Sequence, residues 1–254
     1  ICAGYSTNIG LISIPNGNTY SWSPAIGLAV TNASITQASP ANSTTYTLTV
    51  TDVNTCQNTD TILVSVNPLP GLNGGIDKTI CLGQNVEIGL APTPGNSYLW
   101  TPAASLSSAT VSAPTANPTI TTSYLLTETI TSTGCFSSDS VQVIVNELPA
   151  ASVVPDDTIC FGTTINLGAV SVANHTYLWS PTTGLNQSTI ANPTASPLVQ
   201  TTYTLVETNT LTGCVDSNTV TISLNAIGSA TAGLPQTICR NDSAQIGAPA
   251  VAGS

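Results

Sequence analysis

The chain has 254 residues, of which only 2 are Lys or Arg and 12 are Asp or Glu, so its formal net charge is −10. So acidic a chain is a poor partner for nucleic acid or for an anionic membrane surface, and neither is expected to bind it. Hydrophobic residues make up 41% of the chain, too many for a disordered linker. No apolar run reaches the ~18–20 residues of a membrane-spanning helix, so no direct membrane insertion is expected.

A repeat of 79 residues organises the chain. Cys2 begins a series of cysteines spaced by 79 residues, and Cys56 begins a second series with the same spacing. The first series is Cys2, Cys81, Cys160 and Cys239, and the second is Cys56, Cys135 and Cys214. One Trp and one Tyr per repeat follow this spacing to within one residue: Trp22, Trp100, Trp179, Tyr46, Tyr124 and Tyr203. Such self-similarity is the signature of tandem repeats.

The spacing predicts three repeats and the start of a fourth. Repeat 1 is placed at 1–68 without its N-terminal strand, repeat 2 at 69–147, repeat 3 at 148–226 and the start of a fourth repeat at 227–254. Because the sequence begins and ends inside a repeat, we expect it to be a segment of a longer array.

The strands are predicted from alternating hydrophobicity. In repeat 1, "TTYTLTVTD" (44–52) alternates with Tyr46, Leu48 and Val50 facing inward. In repeat 2, "VEIGL" (86–90) places Val86, Ile88 and Leu90 on one face, and "SYLWTP" (97–102) places Tyr98 and Trp100 on one face. No window has the helical period, and turn residues recur every 8–12 residues, so we predict an all-β fold of two-sheet sandwiches.

Two glutamates interrupt this pattern in repeats 2 and 3. Glu128 and Glu207 fall on the inward side of strands that otherwise match residues 44–52 of repeat 1. Either the strand has left the core at that point or it contains a β-bulge. The sequence leaves both explanations open.

The linkers between repeats are short and contain proline. "NPLP" (67–70) and "NELP" (146–149) are semi-rigid connections, so we expect the sandwiches to lie end to end as a rod. Strands of ~10 residues at ~3.3 Å per residue make each repeat roughly 35–40 Å long, and three repeats about 110–120 Å.

In small-angle scattering, such a rod is expected to have a radius of gyration well above the ~18 Å of a compact globule of this length. The physical reason is that stiff linkers prevent the repeats from folding back on one another. A measured radius close to the globular value would contradict the rod.

Several motifs resemble a known class of repeats. "YSWSPAIGL" (20–28), "YLWSPTTGL" (177–185), "TTYTL" (44–48 and 201–205) and "NPLP" resemble the Ig-like, PKD-like repeats of giant Bacteroidota surface proteins exported by the type IX system, including gliding adhesins and related filament proteins. The resemblance implies a seven-stranded Ig-like sandwich, an extracellular cell-surface location and a role in adhesion or fibre building. It also places the three tryptophans in the core on strand C, and the three tyrosines at the opening of strand F.

Seven cysteines without metal-ligand spacing favour disulfide bonds in an oxidising, extracellular compartment. In Ig-like topology, Cys81 precedes the turn at one end of its repeat, and Cys135 lies in the F–G hairpin at the other end. One strand length of roughly 30 Å is too far for a disulfide bond. We therefore predict bonds between adjacent repeats, which pair Cys2 with Cys135 and Cys81 with Cys214. Cys56, Cys160 and Cys239 would bond to repeats that are missing or incomplete in this sequence. An in-repeat bond with another strand order remains the alternative.

No residue set predicts catalysis, a cofactor or a metal. His175 is the only histidine and is interpreted as a loop residue. Asp77, Asp156 and Asp157 could contribute to a calcium site, but solvated turn carboxylates are favoured because repeat 4 carries Gln236 at this position.

Four Asp-Ser/Thr-apolar triplets resemble Bacteroidota O-glycosylation sites, at Thr61, Ser140, Thr158 and Ser243, with strand-edge turns as the alternative.

The leading functional hypothesis is a structural, tension-bearing segment of a very long surface adhesin or filament. Its partners are neighbouring repeats of the same chain and identical chains in a bundle. The alternative is a carbohydrate- or protein-binding accessory module of a secreted enzyme. Near-identical repeats, short stiff linkers and covalent bonds between repeats favour the structural hypothesis.

Overall fold

A computed structural model describes residues 1–254 except 13–16, 72–73, 227, 229–234, 236, 242 and 244–254. The chain divides into two compact units, Ile1–Asn146 and Glu147–Ser254. The first unit contains repeats 1 and 2, and the second contains repeat 3 and the start of the fourth. All regular secondary structure of the described residues is β, and none of those residues belongs to a helix long and apolar enough to cross a membrane.

Repeat 1 contains five strands in two sheets. They are β1 (Thr7–Gly10), β2 (Thr19–Ser23), β3 (Ile35–Ala38), β4 (Thr44–Thr51) and β5 (Gln57–Val64). β2, β4 and β5 form an antiparallel sheet with β4 in the middle, and β1 pairs with β3 in a second, two-stranded sheet. Cys2 lies beside Asn67, at the C-terminal end of repeat 1, and the two residues form a parallel bridge.

Repeats 2 and 3 each contain six strands in the same arrangement. In repeat 2 they are β6 (Lys78–Cys81), β7 (Val86–Glu87), β8 (Asn96–Thr101), β9 (Thr115–Ala116), β10 (Thr122–Ile130) and β11 (Phe136–Asn146). In repeat 3 they are β12 (Asp157–Cys160), β13 (Ile165–Asn166), β14 (His175–Ser180), β15 (Thr194–Ala195), β16 (Thr201–Asn209) and β17 (Val215–Asn225). The large sheets have the orders β6-β11-β10-β8 and β12-β17-β16-β14, and β7–β9 and β13–β15 form the small sheets.

The first and last strands of a repeat pair in parallel. β6 runs beside β11 from Lys78 opposite Val143 to Cys81 opposite Asn146. β12 pairs with β17 in the same register one repeat later. In repeat 3 the segment before β12 contacts the small sheet through an antiparallel bridge between Val153 and Gly168. The resemblance implied seven strands, and the difference arises because this segment contributes a single bridge and no regular strand.

Each repeat has its own core between its two sheets. The largest buried side chain is a tryptophan: Trp22, Trp100 and Trp179 are 5%, 1% and 0% exposed, as predicted. Each indole nitrogen donates a hydrogen bond to a backbone carbonyl oxygen, at 2.9 Å in repeat 1 and at 3.0 Å in repeats 2 and 3. The predicted core tyrosines, Tyr46, Tyr124 and Tyr203, are 0% exposed. Three separate cores with one buried indole each explain why Trp and Tyr recur with the repeat period.

A glycine packs against each tryptophan. A Cβ on Gly89 would lie 2.9 Å from the Trp100 ring and 2.1 Å from the carbonyl oxygen of Ser112, so no larger residue fits. Gly89 also has a φ of +82°, a conformation that favours glycine. This turn of the backbone ends the alternation predicted for residues 86–90. Leu90 was predicted to face inward and is instead 49% exposed, whereas Ile88 is fully buried.

Candidate functional site

A disulfide bond joins repeat 1 to repeat 2. Cys2 is bonded to Cys135, with 5.5 Å between their Cα atoms and a sequence separation of 133. This is one of the two inter-repeat pairs proposed from the sequence. The in-repeat alternative of Cys81 with Cys135 is excluded, because the sulfur of Cys135 is already bonded.

The backbone holds both cysteines of this bond. Ala3 donates its N–H to the carbonyl oxygen of Asn67 at 2.9 Å, which ties the chain beside Cys2 to the end of repeat 1. Cys135 is 0% exposed and lies in the hairpin between β10 and β11, where its carbonyl oxygen accepts the N–H of Ile130 at 2.8 Å. The Tyr5 and Phe136 rings meet edge to face beside the bond, with centroids 6.5 Å apart. The junction therefore combines a covalent bond with an aromatic contact.

The other cysteines fall into two groups. Cys81 and Cys214 are both disulfide-bonded. Cys56, Cys160 and Cys239 are free thiols in this chain, and all three are exposed. Their predicted bonds to repeats outside this sequence stay predictions, as does the pairing of Cys81 with Cys214. Disulfide bonds persist in oxidising compartments, so the bonded cysteines indicate an extracellular protein.

The two interrupting glutamates are buried within regular strands, and both explanations left open by the sequence are wrong. Glu128 is 5% exposed and Glu207 is 3% exposed. Strand pairing continues without a bulge through both positions. The carboxylates are tolerated because each has polar partners inside the repeat.

The partners of these carboxylates differ between repeats. The Glu128 Oε1 atom accepts a hydrogen bond from the Asn96 side chain at 2.7 Å. In repeat 3 the Glu207 Oε1 atom lies 2.7 Å from Nδ1 of His175, and Oε2 accepts the N–H of Ala151 at 2.7 Å. His175 was interpreted as a loop residue and is instead the first residue of β14, with 12% of its side chain exposed. Sequence reasoning missed this pair, although Asn96 and His175 both stand four residues before the repeat's tryptophan.

Replacing His175 by Leu is expected to destabilise repeat 3 by about 1–3 kcal/mol, because a buried carboxylate loses its side-chain partner. The double variant His175→Leu/Glu207→Leu should recover part of this loss, since it removes the unpaired charge as well. Denaturant unfolding of His175→Leu, Glu207→Leu and the double variant measures the coupling. If the two single substitutions simply add in the double variant, the pair is not coupled as described.

The core tyrosines also hold loop backbone. The Tyr46 hydroxyl donates to the carbonyl oxygen of Ile26 at 2.7 Å, and the Tyr203 hydroxyl donates to that of Thr183 at 2.9 Å. Burial raises the pKa of both phenols above the ordinary 10.0, and hydrogen bonds with the side chains of Thr44 and Thr201 oppose this shift only in part.

The raised phenol pKa values predict a loss of stability in alkali. Since the folded-state pKa lies above the unfolded value, the stabilisation is fully present below about pH 10 and is lost as the pH rises through the folded-state pKa. The melting temperature should therefore fall steeply above about pH 10, and phenolate absorbance of the buried tyrosines should rise only with unfolding. If Tyr46 and Tyr203 ionise fully while the chain keeps the circular dichroism of its β-sheets, the prediction is wrong.

The candidate calcium ligands have backbone partners. An Asp77 carboxylate oxygen accepts the N–H of Gln142, and an Asp156 oxygen accepts that of Thr221, both at 2.8 Å. Both residues are exposed and precede a strand, which agrees with the favoured interpretation as solvated turn acids, and each carboxylate also joins the start of its repeat's first strand to the last strand. Within the described part of the chain, no group of three or more His, Cys, Asp or Glu is placed to hold a metal ion.

The four candidate glycosylation residues lie on the surface. Thr61, Ser140, Thr158 and Ser243 are exposed. In three of these triplets the Asp side chain accepts the N–H of the next residue, at 2.7–2.8 Å. This local hydrogen bond accounts for the Asp, and modification of the hydroxyl groups stays a prediction.

No protein-family model and no curated protein matches the chain. Among solved structures, titin domains I67–I69 align with 89% of this chain and 94% of that chain at 12% identity and a TM-score of 0.41. The three N-terminal domains of the outer capsid protein Hoc of bacteriophage RB49 align with 89% of this chain and 95% of that chain, at 15% identity and a TM-score of 0.36. The insect immune protein hemolin aligns with 88% of this chain and 72% of that chain, at 11% identity and a TM-score of 0.33. The strand pairing and the three separate cores show that the chain is a tandem of Ig-like β-sandwich repeats.

Proposed function

We propose that the chain is a structural, tension-bearing segment of a long extracellular cell-surface adhesin or filament, with no catalytic role. The observation that supports this most directly is the bond between Cys2 and Cys135, which joins consecutive repeats covalently. A covalent bond between two repeats is not needed to shape a binding pocket that lies within one repeat. It does limit how far two repeats can be separated when the chain is pulled.

The strand arrangement supports the same proposal. The first and last strands of repeats 2 and 3 are neighbours and run parallel. When the two ends of such a repeat are pulled apart, the parallel strands must slide past one another, and their hydrogen bonds are loaded together. The side chains of Asp77 and Asp156 add one further hydrogen bond each between these strands.

The competing function, a sugar-binding module, has less support. Tryptophan offers the largest flat surface for stacking on a sugar ring, and all three tryptophans are at most 5% exposed. The adhesin or filament to which the chain belongs, and its export by a type IX system, remain part of this proposal on the strength of the sequence resemblance alone.

Single-molecule pulling on the whole chain tests the proposal. With the Cys2–Cys135 bond intact, the chain between these cysteines, which are 133 positions apart, cannot extend. Reduction should therefore release at least about 450 Å of additional contour length, and more where it also opens the bonds of Cys81 and Cys214. Cys56→Ser, which removes a free thiol, should leave the extension unchanged. The proposal fails if the contour length is the same with and without reductant, or if the repeats unfold at negligible force.

A further inference from the structure

A pocket of about 250 Å³ lies beside the His175–Glu207 pair of repeat 3. Every residue that lines it belongs to the unit Glu147–Ser254. An apolar cavity of about 150 Å³ binds benzene, so this pocket is large enough for one six-membered ring with a short substituent. Its apolar walls are formed by Leu148, Pro149, Val170, Val172 and Ala191.

Three polar side chains of the pocket share one face of the large sheet. His175 and Tyr177 are two positions apart on β14, and Glu207 stands directly opposite Tyr177 on β16. Side chains two positions apart on a strand point to the same face, and directly opposite residues have Cβ atoms about 4.5–5.5 Å apart. The imidazole, the phenol and the carboxylate therefore line the pocket together.

The carboxylate orients the imidazole and leaves one ring nitrogen without a protein partner. The Glu207 Oε1 atom lies 2.7 Å from Nδ1 of His175, and Oε2 accepts the N–H of Ala151. None of the described residues forms a hydrogen bond with Nε2 of His175. Every buried side-chain nitrogen or oxygen of the described residues has a hydrogen-bond partner, so Nε2 is accessible from outside the protein. A ring fixed through Nδ1 presents Nε2 to a ligand.

The hydroxyl group of Tyr177 also has an unused proton. It accepts the N–H of Val172 at 2.7 Å, and no carbonyl oxygen in the described part of the chain accepts its own proton. The equivalent residue of repeat 2, Tyr98, accepts the N–H of Thr93 at 2.6 Å and donates to the carbonyl oxygen of the same residue at 3.4 Å. The hydroxyl proton is thus available to a ligand at Tyr177 and is already engaged at Tyr98.

We propose that this pocket binds a small uncharged molecule with a hydroxyl group on a six-membered ring, of the phenol or cyclic alcohol class. The ring packs against the apolar walls, and its oxygen accepts the proton of Tyr177. The same hydroxyl group donates to Nε2 of a neutral His175 and accepts from a protonated one, so it fits both states of the imidazole.

The charges of the pocket disfavour other classes of ligand. No Lys or Arg lines it, and the net charge of −10 repels an anion. An ammonium group lacks a free carboxylate, because both oxygens of Glu207 have protein partners. A monosaccharide carries more hydroxyl groups than the pocket has polar partners, and burying them unpaired is costly.

Titration of the full chain with phenol tests the proposal by nuclear magnetic resonance. His175 is the only histidine, so its imidazole gives a single set of reporter signals. These signals should shift and saturate with a dissociation constant on the order of 1 mM, as expected for so small a ligand. Toluene has the same shape without the hydroxyl group, and it should bind at least roughly 10-fold more weakly.

Two variants remove the polar partners one at a time. His175→Asn reproduces the Asn96–Glu128 bond of repeat 2, so the repeat should fold while Nε2 is lost. Tyr177→Phe removes the donating hydroxyl group. Each should weaken phenol binding roughly 10-fold, measured on the phenol signals because His175→Asn lacks the reporter.

Tyr98→Phe is the matched control, since it removes the equivalent hydroxyl group from repeat 2 and should leave phenol binding unchanged. Three results would each overturn the proposal. They are a phenol shift that does not saturate, toluene binding as tight as phenol binding, and a Tyr177→Phe or His175→Asn chain that binds phenol like the parent.

Discussion

Trp100→Ala is expected to destabilise repeat 2 by about 3–5 kcal/mol, the range observed when a buried large aromatic residue is truncated. Trp100 is 1% exposed and contacts both sheets of its repeat through the core that includes Ile88 and Tyr124. The substitution leaves a cavity and also removes the hydrogen bond from the indole nitrogen to the carbonyl oxygen of Val111. The free energy of unfolding of a repeat of ~80 residues is only a few kcal/mol, so repeat 2 of the variant should be largely unfolded.

Differential scanning calorimetry resolves this effect, because each repeat has its own core. The transition of repeat 2 should disappear or shift strongly downward, and that of repeat 3 should remain. Leu99→Ala is the matched control, since Leu99 is the preceding residue on β8 and is 53% exposed. A Trp100→Ala chain that melts like the Leu99→Ala chain would show that the tryptophan is not the centre of the core.

The double variant Cys2→Ser/Cys135→Ser is expected to lower the free energy of unfolding of the unit Ile1–Asn146 by roughly 5 kcal/mol. The bond closes a loop of 133 residues, and opening so long a loop restores a large conformational entropy to the unfolded chain. Both repeats should keep their β-sheet structure, because neither core contains the disulfide. Guanidinium unfolding under non-reducing conditions measures the change.

Replacement of both cysteines avoids a new reactive thiol, and Cys56→Ser is the control for loss of a cysteine that forms no bond in this chain. The midpoint of the control should match that of the parent chain. A double variant that is as stable as the parent would show that the bond constrains neither the unfolded state nor the folded one.

The sequence by itself determined the fold class and the buried positions of the repeats. The alternation around Tyr46 follows from one local rule, that successive side chains of a strand point to opposite faces, and the 79-residue spacing of Cys, Trp and Tyr marks the tandem repeats. Such local patterns can be read without knowing what lies on either side of the strand. The inter-repeat pairing of Cys2 with Cys135 was also predicted, because the two ends of an Ig-like sandwich are too far apart for an in-repeat bond.

Only the tertiary structure decided the features that depend on contacts between distant segments. The pattern marked Glu128 and Glu207 as interruptions, but their burial is stabilised by Asn96 and His175, each 32 residues away in sequence. The exposure of Leu90 follows from the backbone turn at Gly89 against the Trp100 ring. A buried polar group or an edge strand is stabilised by its partners, and the partners are chosen when the chain packs in three dimensions.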